Sequence, residues 1–352
     1  MIRMIYAFMA VAAVMLSGGC RVHQWPEPKP VPEATVKICL RYETDFYVWE
    51  HIYDPKGEAP EQMYPDSGVD ADHPGTSYRY DNEQSSGVMR ICLRLYEAGK
   101  GAEGMKEYII DRDAAEGYDC EVELSPGGGN YEVAVWSQLL EYADDAPFYD
   151  AADFRSIYIV NDNYRGSTDY RDAFSGRSAF SLPDKPAEGA EYVCEVEMRR
   201  PMGKFEFVTT DLSEFLDRET ERRALSTRAS VDDYRVVIAY PYYYPNGYNM
   251  EADDIASGSG YRFDTVMTVT GVSEASMGFD YVFIKNIRDG AVQAQVSVWD
   301  MEGTCVANSR VIMVPIRRDW HTVLRGAFLS MDADGGVGVD PDYDGDHNVT
   351  YP

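Results

Sequence analysis

Positive charge is scarce in this sequence. Its 352 residues include 32 lysines and arginines against 60 aspartates and glutamates, which gives a formal net charge of −28 at pH 7. A surface this acidic repels the phosphate backbone of nucleic acids, so the composition excludes a nucleic-acid partner. It also repels anionic lipid head groups, so attachment to a membrane would have to come from something other than surface charge.

Signatures of catalysis and of metal binding are also missing. The sequence contains no nucleophile elbow, no HExxH zinc motif, no phosphate-binding loop and no dinucleotide-binding glycine motif. Its five histidines are His23, His51, His73, His321 and His347. The pattern identifies no rigid partner for any of them, so we predict no catalytic residue, no cofactor and no metal site. A glycosidase that uses two carboxylates is the weakest alternative, because 60 acidic residues supply pairs in any fold.

No apolar run reaches the ~20 residues that cross a bilayer. The apolar run Met4–Leu16, which contains no charge, follows Arg3 and precedes small residues and Cys20. A basic start, a short apolar segment and a cysteine after small residues are typical of a bacterial lipoprotein signal, although Ser17 stands where an aliphatic residue is usual. We expect residues 1–19 to be a signal peptide and Cys20 to be lipidated. Ordinary secretory cleavage nearby is the alternative.

The remaining cysteines do not form a clear disulfide framework. They are Cys39, Cys92, Cys120, Cys194 and Cys305, an odd number with no C-x-x-C pair. Cys39 and Cys92 lie in similar apolar strands, so a bridge between them is one alternative, but sequence alone cannot establish the geometry that a bridge needs. We favour unpaired thiols that are buried as small apolar side chains.

Alternating apolar and polar residues predict strands throughout the first half. Val36, Ile38 and Leu40 share one face of the first strand. Before it, residues 20–33 carry four prolines and predict an extended tether. The polar stretch 51–87 has no period and predicts a long mobile loop. We therefore expect a lipidated tether at 20–33 and a β-sandwich domain at 34–200.

Two segments of that first domain have a local interpretation. Strand patterns on either side of the glycine-rich turn 125–130 predict a hairpin over 118–138. The charged run Asp169–Asp172 contains two carboxylates that could suggest a site. We expect it instead to be a solvated turn with local ion pairs, because exposed pairs are common and contribute only about 0–1 kcal/mol.

The second half repeats the outline of the first. Pro201 interrupts the strand pattern, and a domain boundary is placed there because proline cannot continue a central ladder. One short helix is expected at 211–225, with Asp211 or Ser213 as its N-cap. Many short strands separated by turns indicate a mainly β fold of two consecutive sandwiches, the second at 201–352 with an acidic tail.

Two motifs of the second half suggest ligands. Asp340, Asp342 and Asp344 match the opening of a calcium loop, but Tyr351 stands where the closing glutamate would be, so a solvated acidic turn is favoured over a metal site. The tyrosine-rich stretch 240–248 is expected to be a loop. Its rings could stack on sugars, or they could simply pack over the end of the sandwich.

Six short stretches carry a resemblance to a known family. They are Cys20–Glu27, Tyr131–Trp136, Gly166–Phe174, Arg200–Asp211, Gly326–Leu329 and Val339–Asp346. Together they resemble lipid-anchored lipoproteins of the Bacteroidales fimbrillin superfamily, of the FimB-type minor or anchor subunit. The resemblance implies two transthyretin-like Greek-key β-sandwiches, an outer-membrane position and no catalytic residue.

The resemblance also implies a role in adhesion. The expected partners are fimbrial or other surface proteins, bound when an extended segment pairs with an open sheet edge. Stalk subunits of this superfamily are cut after an arginine; Arg41 is the position that such a cut would use, and we expect it to be uncut. The alternative is a surface glycan-binding lipoprotein that uses the aromatic stretch 240–248. Surface exposure is expected, although Arg21–Gln24 lacks the acidic residues that often accompany it, so a periplasmic orientation stays open.

Overall fold

The structure is a computed structural model that describes residues 35–53, 77–78, 87–160, 164–185, 187, 190–224, 227–285 and 290–330. The predictions for Cys20, the tether, the calcium-like loop at Asp340–Asp344 and most of the loop at 51–87 lie outside these residues. Within them, no helix has the length and apolar character needed to cross a membrane.

The described residues form twenty strands and one α-helix, so the expected mainly β fold is confirmed. The strands are β1 (Thr35–Tyr42), β2 (Phe46–Ile52), β3 (Ser77–Tyr78), β4 (Val88–Glu97), β5 (Met105–Asp113), β6 (Cys120–Leu124), β7 (Gly129–Leu140), β8 (Tyr149–Asp150), β9 (Ile157–Ile159), β10 (Ala173–Leu182), β11 (Glu191–Met198), β12 (Met202–Thr209), β13 (Tyr234–Asn249), β14 (Asp254–Thr265), β15 (Thr268–Val269), β16 (Ala275–Phe283), β17 (Gly290–Asp300), β18 (Cys305–Asn308), β19 (Ile312–Ile316) and β20 (Trp320–Gly326). The helix, α1, covers Leu212–Arg222.

The first sandwich packs a three-stranded sheet against a four-stranded sheet. Their strand orders are β11-β1-β6 and β10-β7-β4-β5. In β1 the predicted apolar face is buried, and Val36, Ile38 and Leu40 are all fully shielded from solvent. They pack against Leu93 and Val135 of the facing sheet. The period-two pattern therefore sets the inner face of each sheet, as expected.

The second sandwich is built from strands of both halves of the chain. Its six-stranded sheet has the order β15-β16-β12-β20-β2-β3, and its seven-stranded sheet follows the path β18-β17-β13-β9-β8, with β14 on β13 and β19 on β17. Strands β2, β3, β8 and β9 precede Pro201, yet β2 pairs with β20 and β9 pairs with β13, which both follow it. Strand β3 joins the same sheet through β2, and β8 joins through β9. The domain boundary at Pro201 stays a prediction, because the order of the strands along the chain does not decide which sandwich they belong to.

Aromatic side chains join the two sandwiches into one packed body. Trp136, on the outer face of β7, is fully buried within the core cluster of the second sandwich. Its ring centroid lies 5.6 Å from that of Tyr149 and 6.4 Å from those of Tyr248 and Phe283. Aromatic pairs at this separation add stabilisation beyond their buried area. At β7 the outer face of the four-stranded sheet is therefore an interface with the second sandwich, not a solvated surface.

The hairpin predicted over 118–138 is wrong. Strand β6 pairs with β1, whereas β7 pairs with β4 and β10, so the two strands lie in facing sheets. The glycine-rich connection crosses the end of the sandwich, where an added Cβ on Gly128 would lie 2.4 Å from Cα of Asp184. Only glycine permits that close approach. The same glycines led to the prediction of a hairpin turn.

The helix predicted at 211–225 is confirmed as α1. Asp211 occupies the N-cap position, but its side chain makes no capping bond. Instead the carboxylate accepts hydrogen bonds from the hydroxyls of Thr209 and Ser330 and from the N–H of Leu329. It therefore ties the start of α1 to the end of the described chain.

Candidate interaction site

Strand β5 forms an open edge of the first sandwich. Among the described residues it pairs only with β4. Just beyond its end, the N–H of Ala114 donates to the carbonyl of Gly87 at 2.9 Å. Hydrogen-bonded pairs alternate along an antiparallel ladder, so the even-numbered residues of β5 bond to β4. The N–H and C=O groups of Glu107, Ile109 and Asp111 must then point away from the sheet.

The outer face of β5 has an apolar centre between two ion pairs. Ile109 is 62% exposed. On either side of it, Glu107 accepts from Nε of Arg94 at 2.8 Å and Asp111 accepts from Nε of Arg90 at 2.8 Å. Both carboxylates are thus neutralised within the sheet, and the exposed surface between them is aliphatic.

The comparable edge of β16 is closed by side chains and by a neighbouring segment. The N–H of Ser167 donates to the carbonyl of Phe279 at 2.8 Å, and the N–H of Phe279 donates back to Oγ of Ser167 at 3.2 Å. The carbonyl of Tyr281 accepts from Arg171 at 3.2 Å and from the hydroxyl of Tyr244 at 2.7 Å. Polar groups occupied in this way cannot bind a further strand.

Strand β14 is a longer edge but an irregular one. It pairs with β13 alone among the described strands, and the register between them shifts at three places. Gly258 and Gly260 interrupt its middle. Because β-bulges and irregular twist blunt an edge, β14 is a weaker template for an added strand than β5.

The outer face of the three-stranded sheet is strongly acidic. Its outward carboxylates are Glu121, Glu123, Glu191, Glu195 and Glu197, and the cations between them are Lys37 and Arg41. Arg41 lies in β1 and pairs with Glu197 of β11, next to Leu40, where the pairing of β1 with β6 ends. A protease needs an unpaired extended segment, so this placement supports the expectation, still a prediction, that Arg41 is uncut.

The run Asp169–Asp172 is not a solvated turn, and that expectation is wrong. Arg171 is fully buried and forms an ion pair with Asp280, which is also buried. Asp280 accepts further hydrogen bonds from the hydroxyls of Tyr164 at 2.6 Å and Tyr240 at 2.5 Å. Burial raises the pKa of Asp280, and Arg171 opposes that rise. The available signal was an aspartate at an inward position of an otherwise apolar strand.

Arg200 fixes the place where the chain crosses between the sandwiches. It is 2% exposed and bonds the Asp172 carboxylate at 2.8 Å. Its other N–H groups donate to the carbonyls of residues 43–45, the link from β1 to β2, at 2.9–3.4 Å. The guanidinium also stacks 4.0 Å from the ring centroid of Phe46 and 4.6 Å from that of Phe174.

His321 lies beside a carboxylate that the sequence pattern did not identify. Its Nε2 lies 3.2 Å from Oε2 of Glu206 on the neighbouring strand. Beside them, Nζ of Lys204 lies 2.8 Å from Oδ1 of Asp169. Burial lowers the pKa of His321. The lowered pKa favours a neutral His321, so the matched charges here are those of Lys204 and Asp169, as is typical of structural ion pairs on a sheet face.

The stretch 240–248 is a strand, so the prediction of a tyrosine-rich loop is wrong. Tyr240, Tyr244 and Tyr248 are 1%, 0% and 2% exposed and belong to the core. Only Tyr242 and Tyr243 face solvent, at 65% and 40% exposure. Residues four apart share one face of a strand, so the three rings lie on the inner face. Tyr242 is exposed where the register with β14 is irregular, between Tyr240 and Tyr244.

The five cysteines in the described residues are free, and no bridge links Cys39 to Cys92. Cys39 lies in the three-stranded sheet beside Glu121 and Glu195, whereas Cys92 lies in the facing sheet beside Ile109. The expectation of buried thiols is confirmed for Cys39 and for two others, Cys120 and Cys194. In the part of the chain that is described, no cluster of three or more His, Cys, Asp or Glu could hold a metal ion.

Comparison with known proteins identifies one family. Residues 66–352 match the model of DUF6562, a family of unknown function. No protein with a curated description matches the chain.

Solved structures of similar shape come from Bacteroides and Porphyromonas. The fimbrial anchor protein Mfa2 from Porphyromonas gingivalis is 11% identical with a TM-score of 0.38, over 78% of this chain and 82% of that one. The tip fimbrial protein Mfa3 of the same organism is 8% identical with a TM-score of 0.37, over 84% and 94%. A candidate adhesin from Bacteroides thetaiotaomicron is 11% identical with a TM-score of 0.42, over 79% and 80%. Similarity at this level carries no information about function.

Proposed function

Since this chain belongs to the DUF6562 family, whose function is unknown, we propose a role from its own residues. The protein is a non-enzymatic outer-membrane lipoprotein of the adhesion or fimbrial-accessory type. It is held by acyl chains on Cys20 and binds fimbrial or other surface proteins by strand pairing. The stretch 1–19 is its signal peptide, and 20–33 is its tether.

One observation carries the proposal: among the described residues, β5 is a regular, nine-residue open edge, while the edge of β16 is closed. An open edge presents unpaired N–H and C=O groups, and proteins normally protect such an edge unless a partner uses it. Backbone pairing gives affinity to an added strand, and the side chains beside it give selectivity.

The course of β1 supports the position of the anchor. It runs parallel to β11, so that Tyr42 and Met198 lie at the same end of the sheet. Both strands continue from that end into the second sandwich. Thr35, which follows the tether, therefore lies at the opposite end of the first sandwich. A tether attached there would hold the first sandwich near the membrane and direct the second away from it.

Cys20→Ala tests the anchor and the role together. Several acyl chains, each CH₂ contributing about 0.8 kcal/mol, should keep the wild-type protein in the membrane fraction. The variant should be soluble after export, and surface fibres or cell adhesion should decrease. Ser17→Ala, which keeps the cysteine, is the matched control. A variant that stays in the membrane, or unchanged fibres and adhesion after its release, would contradict the proposal.

Glycan binding remains a second candidate because Tyr242 and Tyr243 are exposed beside each other. Exposed aromatic rings with polar tips suit the faces of sugars. Replacing both with alanine should abolish retention on immobilised polysaccharide if this candidate holds, and unchanged retention would exclude these residues.

A further inference from the structure

The strand-pairing role proposed above needs a location, and β5 supplies one. Resting on that role, we infer that the partner docks as an extended segment along the open edge of β5. It bonds to the outward N–H and C=O groups of Glu107, Ile109 and Asp111. The side chains of these three residues share the outer face, so an added strand would place every second side chain beside them.

Side chains on the other face of β5 hold the edge in place. Tyr108 and Ile110 pack against the core of the first sandwich. The pairing with β4 runs without a shift from Val88 opposite Asp113 to Tyr96 opposite Met105. The edge is therefore straight and already ordered, so a partner need not order it on binding.

The charge around this edge specifies the partner's chemistry. Strands β4 and β5 together carry four cationic and four anionic side chains, a balanced patch on a protein of net charge −28. Glu107 and Asp111 are already paired with arginines, so a lysine or arginine of the partner would gain little there. Ile109 offers an aliphatic contact at the centre. The partner segment is therefore uncharged at its centre, with an aliphatic side chain facing Ile109.

Proline substitutions at neighbouring positions of β5 distinguish the N–H groups at the open edge from those that bond to β4. The N–H of Ile109 points outward, so Ile109→Pro removes a donor from the edge without removing a bond to β4. The N–H of Ile110 points toward β4, so Ile110→Pro removes a hydrogen bond between β5 and β4 and should lower the melting temperature. Ile109→Ala keeps the outward N–H and removes only the aliphatic contact. The melting temperature of Ile109→Pro should differ from the wild-type value by no more than that of Ile109→Ala does.

Binding is measured by fluorescence anisotropy with a labelled peptide of alternating threonine and valine and the whole exported chain. Ile109→Pro should weaken binding by roughly tenfold or more, and Ile109→Ala by less. If Ile109→Pro unfolds, a peptide methylated on alternate backbone nitrogens gives the same test with wild-type protein and should not bind. Hydrogen exchange should slow at the amides of Glu107, Ile109 and Asp111 when the unmodified peptide is added.

Equal binding by wild type and a folded Ile109→Pro variant, or equal binding of the methylated peptide, would overturn the assignment to β5. Slowed exchange elsewhere, for example along β14, would do the same while leaving the strand-pairing role intact. The role itself fails separately, through the Cys20→Ala experiment, when fibres and adhesion do not depend on the anchored protein.

Discussion

Arg200→Met should be among the most destabilising substitutions in this protein. The change keeps most of the side-chain volume but removes the guanidinium that bonds Asp172 and the carbonyls of residues 43–45. Asp172 is 5% exposed, and within the described part of the chain its side-chain hydrogen bonds come from Arg200. Breaking a buried pair from one side typically costs 3–5 kcal/mol, because the remaining charge has no compensation. We expect a loss of about that size.

The pH dependence of this loss has a definite sign. Burial raises the pKa of Asp172 even beside Arg200. Without the guanidinium, the folded-state pKa should rise further above its unfolded value. A group with a raised folded pKa contributes its full stability below the unfolded pKa and loses it as pH rises through the folded pKa. The deficit of Arg200→Met should therefore be larger at pH 8 than at pH 4.

Urea unfolding followed by tryptophan fluorescence measures the effect, since Trp136 is buried where the sandwiches meet. Arg199→Met is the matched control, because Arg199 is the preceding residue and its side chain is 58% exposed; its loss should be at most about 1 kcal/mol. The double variant Arg200→Met with Asp172→Leu should be more stable than Arg200→Met alone. A loss below about 1 kcal/mol, or no recovery in the double variant, would refute this account of the junction.

Two further changes test other parts of the junction. Burial raises the pKa of Asp319 to about 6 from 3.8, so the contribution of its carboxyl to stability should be lost as pH rises through about 6. Asp319→Asn does not ionise and tolerates the positive φ of 59°, so it should remove up to roughly 3 kcal/mol of the stability loss between pH 4 and pH 7.5, as measured by urea unfolding. Wild-type and variant stabilities that change in parallel with pH would contradict this. Gly203→Ala places a Cβ 2.3 Å from the carbonyl oxygen of Arg317, so it should lower the melting temperature measured by calorimetry. Gly260→Ala is the control and should not lower it, because the nearest atom to its Cβ lies 3.4 Å away. Equal changes in melting temperature for the two variants would argue against the clash.

The faces of the strands can be predicted from this sequence, but the partners of the strands cannot. Val36, Ile38 and Leu40 alternate with polar residues and are buried as that pattern requires. Alternation says which side of a strand meets a core and nothing about which strand lies alongside it. Nothing local in residues 46–52 indicates pairing with β20, near the other end of the described chain.

The residues of the junction escaped prediction for a related reason. Arg171 and Asp172 read as a solvated turn because charged residues are rarely buried unless they are paired. Their partners, Asp280 and Arg200, lie far away in the sequence, so the pairing emerges only when the two sandwiches meet. Tyr244 and Tyr248 escaped prediction similarly, since the tyrosine-rich stretch was expected to be a loop and is a strand. The open edge of β5 also needed the fold, because its last hydrogen-bonded pair identifies the outward amides.

The closed junction between the sandwiches and the open edge of β5 have complementary roles. A load applied between the tether and a partner on β5 would enter at Thr35, pass along β1 and cross the first core to the facing sheet. It would not pass through Arg200, Arg171 or Asp280, which hold the second sandwich. Those buried pairs can therefore set the relative position of the sandwiches without bearing that load. Ser167 and Arg171, which close part of the edge of β16, lie in the segment whose Arg171 pairs with Asp280, so the same segment covers that edge and fixes the junction. The edge of β5 has no such segment among the described residues, and that difference is why partner binding is assigned to the first sandwich.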